Sequence, residues 1–135
     1  FGTPQIRAVK KEQKHYHFDW SLVPDLSVRF ENLVACHLLK WTHYLQDTEG
    51  RNVELRYFRD VDGREVDFVI LENRRPTRFI ECKWNDAPLG KGLSYLMSRF
   101  PSCEAWQISA TGTQDYISPS GIRVTNAVTF LRTLI

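Results

Sequence analysis

Val66-Asp67-Phe68-Val69-Ile70-Leu71 is apolar on both faces apart from one aspartate, the pattern of a central strand covered on both sides. Upstream, Val53 to Arg59 alternates through Val53, Leu55 and Tyr57, and Asp60-Val61-Asp62-Gly63 joins it to Arg64–Leu71. Asp-Gly between alternating apolar runs predicts a hairpin. Downstream, Glu72-Asn73-Arg74-Arg75-Pro76 reads as a second turn leading into Thr77 to Trp84. With no helix between them, the three strands form an antiparallel meander. Before the meander, Phe30, Leu33, Val34, Leu38, Trp41 and Leu45 follow the i, i+3, i+4, i+7 spacing of one buried helical stripe. Ser27 is placed to cap that helix, predicted over 27–47. After the meander, Pro88 and Gly90 open a helix to about Arg99, Cys103 to Ser109 reads as a strand and Ile122 to Thr125 as a shorter one. Asn126 then caps a final helix through Leu134. The expected fold class is α/β: helix, three-strand antiparallel meander, helix, further strand, terminal helix. Residues 1–26 read as a connector in which Lys14 to Trp20 alternates as a short strand, and 27–135 as the α/β domain.

A chain of 135 residues with 42% hydrophobic content can build a core without disulfides or a structural metal, which excludes disordered and fibrous classes. A net charge of +2 excludes a protein that holds nucleic acid by charge alone, so any polyanion contact must be local. No apolar run approaches the roughly 20 residues of a membrane span, and the expected chain is soluble, with no membrane partner. Cys36, Cys82 and Cys103 are an odd set without Cys-x-x-Cys spacing, the usage of a reducing cytoplasm with small buried cysteines. The start at Phe1, without methionine or secretory pattern, reads as a fragment of a longer chain.

Asp67 alternates onto the face of Val69 and Leu71 and should be buried. A buried carboxylate needs a cation or strong donors beside it. Backbone amides or an Arg would serve as well as a functional partner. In Phe79-Ile80-Glu81-Cys82-Lys83-Trp84 the period of two sets Glu81 and Lys83 on one face. A turn centred near Arg74 places Asp67 opposite Glu81. Two carboxylates facing each other require a cation between them or a proton on one. Together with water they are the oxygen set that Mg²⁺ prefers, and a lysine beside them can orient a water and offset charge on a phosphorane-like transition state. The alternative is a structural triad in which Lys83 simply neutralises the pair. On the preceding helix, Glu31 lies at the margin of the apolar stripe, beside Ala35 and Leu38.

A helix bearing Glu31, then Asp67, then Glu81-Cys82-Lys83 on the next strand resembles the PD-(D/E)XK nuclease superfamily and its restriction-endonuclease-like core. Phe30-Glu31-Asn32-Leu33-Val34-Ala35, Tyr57-Phe58-Arg59-Asp60, Gly63-Arg64-Glu65-Val66-Asp67-Phe68-Val69 and Ile80-Glu81-Cys82-Lys83 are similar to the carboxy-terminal domain, of unknown function, of a family of prokaryotic AAA+ ATPases. The resemblance covers about residues 10 to 100. It implies that Asp67, Glu81 and the Cys82 backbone carbonyl bind Mg²⁺ or Mn²⁺, that Lys83 positions the attacking water and that Glu31 orients the site. It implies accessory roles for Lys91 and Tyr95, which hold the spacing of a Gln and a Tyr in helicase-associated members, with the Gln replaced here. The Pro that often precedes the aspartate is absent. An ATPase module and a winged-helix segment in cis, and DNA as substrate, are implied partners; no Walker-type phosphate loop occurs in this chain.

Arg74, Arg75 and Arg78 form a small basic cluster at a hairpin tip. With Lys10, Lys11 and Lys14 they are candidates for nucleic-acid contact, against the alternative of a solvated turn. His15 with His17, and Cys36-His37 with His43, fit no Cys/His zinc framework. Trp41, Trp84 and Trp106 fall in periodic segments and read as core. Two functions remain open at this point. One is a metal-dependent phosphodiesterase cutting DNA within an ATP-driven machine. The other is a non-catalytic module of the same fold that binds protein or nucleic acid and regulates the ATPase.

Overall fold

The structure, a computed structural model, describes residues 6–8 and 25–135. Along the chain run β1 (Ile6–Ala8), α1 (Leu26–Glu49), β2 (Val53–Arg59), β3 (Glu65–Glu72), β4 (Arg75–Lys83), α2 (Lys91–Arg99), β5 (Glu104–Ser109), β6 (Tyr116–Ile117), β7 (Ile122–Asn126) and α3 (Ala127–Leu131). A 3-10 turn over Arg132–Leu134 continues α3. The described strands make one mixed sheet in the order β1-β2-β3-β4-β5-β7-β6. The expected meander is β2 to β4, antiparallel throughout. Crossover through α2 brings β5 parallel to β4, and β7 lies parallel to β5. The fold is α/β, as the order of periodic segments predicts. The predicted strand over Lys14–Trp20 lies outside the described residues; β1, within the predicted connector, pairs with β2. The two-residue β6 on β7 has too short a pattern to be read from sequence.

The sheet separates two apolar layers, each covered by helix. Phe30, Val34 and Leu38 of α1 pack with Phe68, Ile70, Ile80, Ile108 and Phe130 on one face of the sheet. Leu93 and Leu96 of α2 pack with Val66, Val69, Phe79 and Ile122 on the other. Each of these side chains stabilises the fold by roughly 1.5–3 kcal/mol relative to exposure. Helix α1 is capped by Asp25, whose carboxylate accepts the Ser27 N–H at 2.7 Å. The cap is therefore two residues earlier than Ser27, because an Asp at the boundary offers its own acceptor to that amide. The buried face leans toward Ala35 and Thr42, which leaves Leu33, at the opposite margin of the predicted stripe, 36% exposed.

Two turns set the meander. Gly63, at φ 81°, ends the first, and Asp60 holds it by accepting the N–H groups of Asp62 and Arg64 at 3.0 Å each. In the second, Asn73 and Arg74 both take positive φ, 53° and 66°, as the centre of a two-residue hairpin requires. That tight turn starts β4 at Arg75 rather than Thr77. All three cysteines are free and partly exposed as residues, although the Cys82 thiol itself is buried against the core. Trp84 is exposed rather than core, edge-on to Phe30 at 6.5 Å.

Candidate functional site

The pairs Phe68↔Ile80, Val69↔Phe79 and Ile70↔Arg78 give the expected register of β3 on β4, whose next step aligns Asp67 with Glu81. The other side of β3 decides where the Asp67 side chain goes. Between Phe58↔Val66 and Arg56↔Val69 the register on β2 shifts, so Asp67 and Phe68 together oppose Tyr57 in a β-bulge. The bulge inverts the alternation. Val66, not Asp67, shares the α2 face with Val69 and Leu71, which corrects the face assigned from the sequence. Re-aimed, Asp67 is partly buried and turns into the ladder, where its Oδ2 accepts the Cys82 N–H at 2.8 Å. Its own N–H donates to Glu81 Oε1 at 3.1 Å. A strand residue presents its N–H and C=O to the same side, so the Cys82 carbonyl also faces the opening beside Asp67.

Helix α1 brings Glu31 to the same place, in hydrogen-bond contact with the Asp67 carboxyl. Glu81 is buried, with Lys83 Nζ 3.5 Å from its Oε2. Among the described residues, three carboxyl groups thus share one recess beside the Lys83 ammonium. Burial first, then the Asp67 charge, pushes Glu31 from 4.5 to about 8. Burial and Asp67 push Glu81 from 4.5 to about 8 as well, against the pull of Lys83. Asp67 is raised by burial, while the Cys82 N–H and its two carboxylic neighbours draw it back down. The three carboxyl groups share protons, and the hydrogen bond between Glu31 and Asp67 raises Glu31 while it lowers Asp67. Burial and the same three acids raise the Cys82 thiol far above its ordinary value, which makes it a poor nucleophile. Glu31 and Asp67, with Glu65, Tyr57 and Arg59, line a pocket of about 150 Å³.

Several residues that support the recess escaped the sequence reading. Gln107 of β5 is buried; its amide donates to the Ala87 and Pro88 carbonyls and accepts the Gly90 N–H at 2.9 Å. This fixes the loop that starts α2 with Gly90 against Glu81, where a Cβ would lie 3.6 Å from Oε2. At Gly92 a Cβ would fall 2.1 Å from the Glu65 carbonyl oxygen, so only glycine lets α2 approach β3 so closely. A glycine inside a helix and a lone Gln in an apolar strand were the available signals.

Other predicted residues are not gathered there. Tyr95 stacks on Phe58 at 5.9 Å under the Arg64 guanidinium, 3.7 Å from its ring; this packing occupies it. Lys91 is exposed at the start of α2. Arg74 and Arg75 are exposed at the far hairpin tip, and six residues of strand put Arg75 about 20 Å from Glu81. Arg78 leaves that cluster altogether, 3.6 Å from Glu104 and 5.0 Å over the Trp41 ring. Lys10, Lys11 and Lys14 lie outside the described residues.

A family described as a domain of unknown function, DUF4143, matches residues 29–129, more than half of the chain. The chain belongs to the DUF4143 family. No curated protein and no solved structure matches it. Glu31, Asp67, Glu81 and Lys83 all fall inside the stretch that makes this a DUF4143 chain. Among the described residues of the DUF4143 chain, no group of three or more His, Cys, Asp or Glu side chains is disposed to hold a metal ion, and no helix is long and apolar enough to cross a membrane.

Proposed function

We propose that this DUF4143 chain is a Mg²⁺- or Mn²⁺-dependent phosphodiesterase of the PD-(D/E)XK kind, with a restriction-endonuclease-like core. It would act on DNA in the cytoplasm, with ATPase and winged-helix modules in cis. One observation carries the reading: three buried or half-buried carboxyl groups converge on one recess, with Lys83 as the ammonium beside them among the described residues, and all three are raised above the usual carboxylate range, so ionising them together calls for further positive charge. A divalent cation held by Asp67, Glu81 and the Cys82 carbonyl would meet that deficit, the rest of its shell being water and substrate phosphate. Bound there, the cation would lower the pKa of a water and offset charge on the phosphoryl oxygens.

The chain's own groups divide the remaining work. Asp67 is held in place by the Cys82 N–H, and Glu31, keeping its proton, donates to it and fixes its orientation. Lys83, half-exposed beside Glu81, offers its ammonium to the attacking water and to a non-bridging phosphate oxygen. Gln107 and Gly90 wall the recess behind Glu81.

Isothermal titration of Mg²⁺ and Mn²⁺ into the chain, beside Asp67→Asn and Glu81→Gln, tests this. Binding that both substitutions remove is expected, together with metal-dependent cleavage of a plasmid or a labelled single strand. A folded wild-type chain that binds neither ion would make Lys83 an internal counterion and the chain a non-catalytic module.

A further inference from the structure

A second concavity lies away from the carboxyl recess. His37, Lys40, Trp41 and Tyr44 fall at i, i+3, i+4 and i+7 on α1, along the margin where Leu33 is exposed, and face α3 and the turn after it. The groove between them is about 590 Å³. Its apolar walls include Trp41, Leu131 and Leu134, with Tyr44 and Val128 59% and 58% exposed. Its charged side chains are of one sign, Lys40 and Arg132 with His37 beside them; Ile135 also lines it, and among the described residues that do none has an acidic side chain.

An apolar trough between two helices is shaped for a third amphipathic helix, laid in as ridges into grooves. The rim chooses among occupants. A second copy docked groove to groove would set Lys40 and Arg132 against their own kind. The basic run containing Lys10, Lys11 and Lys14 would meet the same repulsion. We propose that this groove docks an amphipathic helix of a partner protein whose apolar stripe is flanked by Asp or Glu. The α1 wall from His37 to Tyr44 is about 10 Å long, so two helical turns of the partner, with apolar anchors at i, i+3 or i+4 and i+7, would fill it. Acidic flanks would speed association and set specificity through the rim, while the anchors supply most of the affinity.

Fluorescence anisotropy with the 135-residue chain tests this, using two labelled helical peptides that share Leu anchors and carry either Glu or Lys flanks. The Glu peptide should bind at least about tenfold more tightly, with the gap closing at high salt. Lys40→Glu with Arg132→Glu should invert the preference, and exposed Tyr44→Glu should abolish binding of both peptides. Circular dichroism of each variant identifies any that has unfolded. Should Lys40→Glu with Arg132→Glu unfold, Lys40→Gln, which must shrink the preference, takes its place. Equal affinity for the two peptides, or no binding of the Glu peptide at about 1 mM, would overturn the proposal. So would preferential binding to phosphatidylserine vesicles, or a concentration-dependent mass in sedimentation that Tyr44→Glu removes.

Discussion

Raising the pH from 5 to 8 in metal-free buffer should destabilise this chain through the carboxyl recess. In the unfolded chain Glu81 releases its proton near 4.5; in the fold, burial and Asp67 hold it to about 8. Across that window the native state binds more protons than the unfolded state, so stability falls as pH rises. The contribution is complete below 4.5 and is lost as pH climbs through about 8. One retained proton corresponds to about 1.4 kcal/mol per pH unit, a ceiling of about 4 kcal/mol over three units. Glu31 and Asp67 share protons with Glu81, so about half of that, about 2 kcal/mol, is the expected loss for Glu81. This is a large fraction of a typical folding free energy of about 5–15 kcal/mol. Asp86, held below its usual range by the Gln114 and Thr113 amides, and Glu72, held below it by Arg51, titrate under this window. The assay is urea unfolding at half-unit pH steps with EDTA present, for wild type and Glu81→Gln. The substitution should flatten the slope and leave the variant about 2 kcal/mol more stable than wild type at pH 8. A wild-type profile flat from 5 to 8, or a Glu81→Gln deficit constant with pH, would refute the protonated cluster.

Asp67→Asn keeps an acceptor for the Cys82 N–H and removes the ionisable group between Glu31 and Glu81. It should eliminate Mn²⁺ binding in calorimetry and raise stability at pH 8 by about 1–2 kcal/mol. Adding Mg²⁺ to the wild type at pH 8 should recover stability by mass action and release protons, both read by calorimetry in buffers of different ionisation enthalpy; Asp67→Asn should show neither. Gly92→Ala drives a Cβ into the Glu65 backbone and should cost about 3 kcal/mol or more in urea titration. Asn126→Ala removes the acceptor of the Thr129 N–H at 2.9 Å and should cost about 1 kcal/mol by the same measurement.

Much of the frame was legible because it is local. The Asp60–Gly63 turn, a second turn within Glu72–Pro76 and the alternation of Val53 to Arg59 specify the meander, while the two-residue centre at Asn73-Arg74 starts β4 earlier than Pro76 suggests. The Asn73-Arg74 turn by itself pairs Leu71 with Pro76; an extra residue of β4 before the Ile70↔Arg78 pair shifts the register by one, and that shift brings Asp67 level with Glu81. The Asn126 cap was readable because an N-cap depends on one side chain and an amide three residues on.

The sequence by itself determined the order of the main elements, the antiparallel meander and the chemical inventory of the recess, since turns, caps and apolar periods act between near neighbours. Only the tertiary structure decided how that inventory is arranged. The bulge at Asp67 arises from the mismatch between β2 and β3, invisible to the alternation of β3 read alone, and it turned the carboxylate from the α2 face into the ladder. The departure of Arg78 to Trp41 and Glu104, the capture of Tyr95 by Arg64 and the holding of Gly90 by Gln107 likewise join residues distant in the chain. Proton sharing among Glu31, Asp67 and Glu81 needs three elements to meet in a poorly solvated space. A pKa set by burial and neighbouring charge belongs to that space rather than to any segment of sequence.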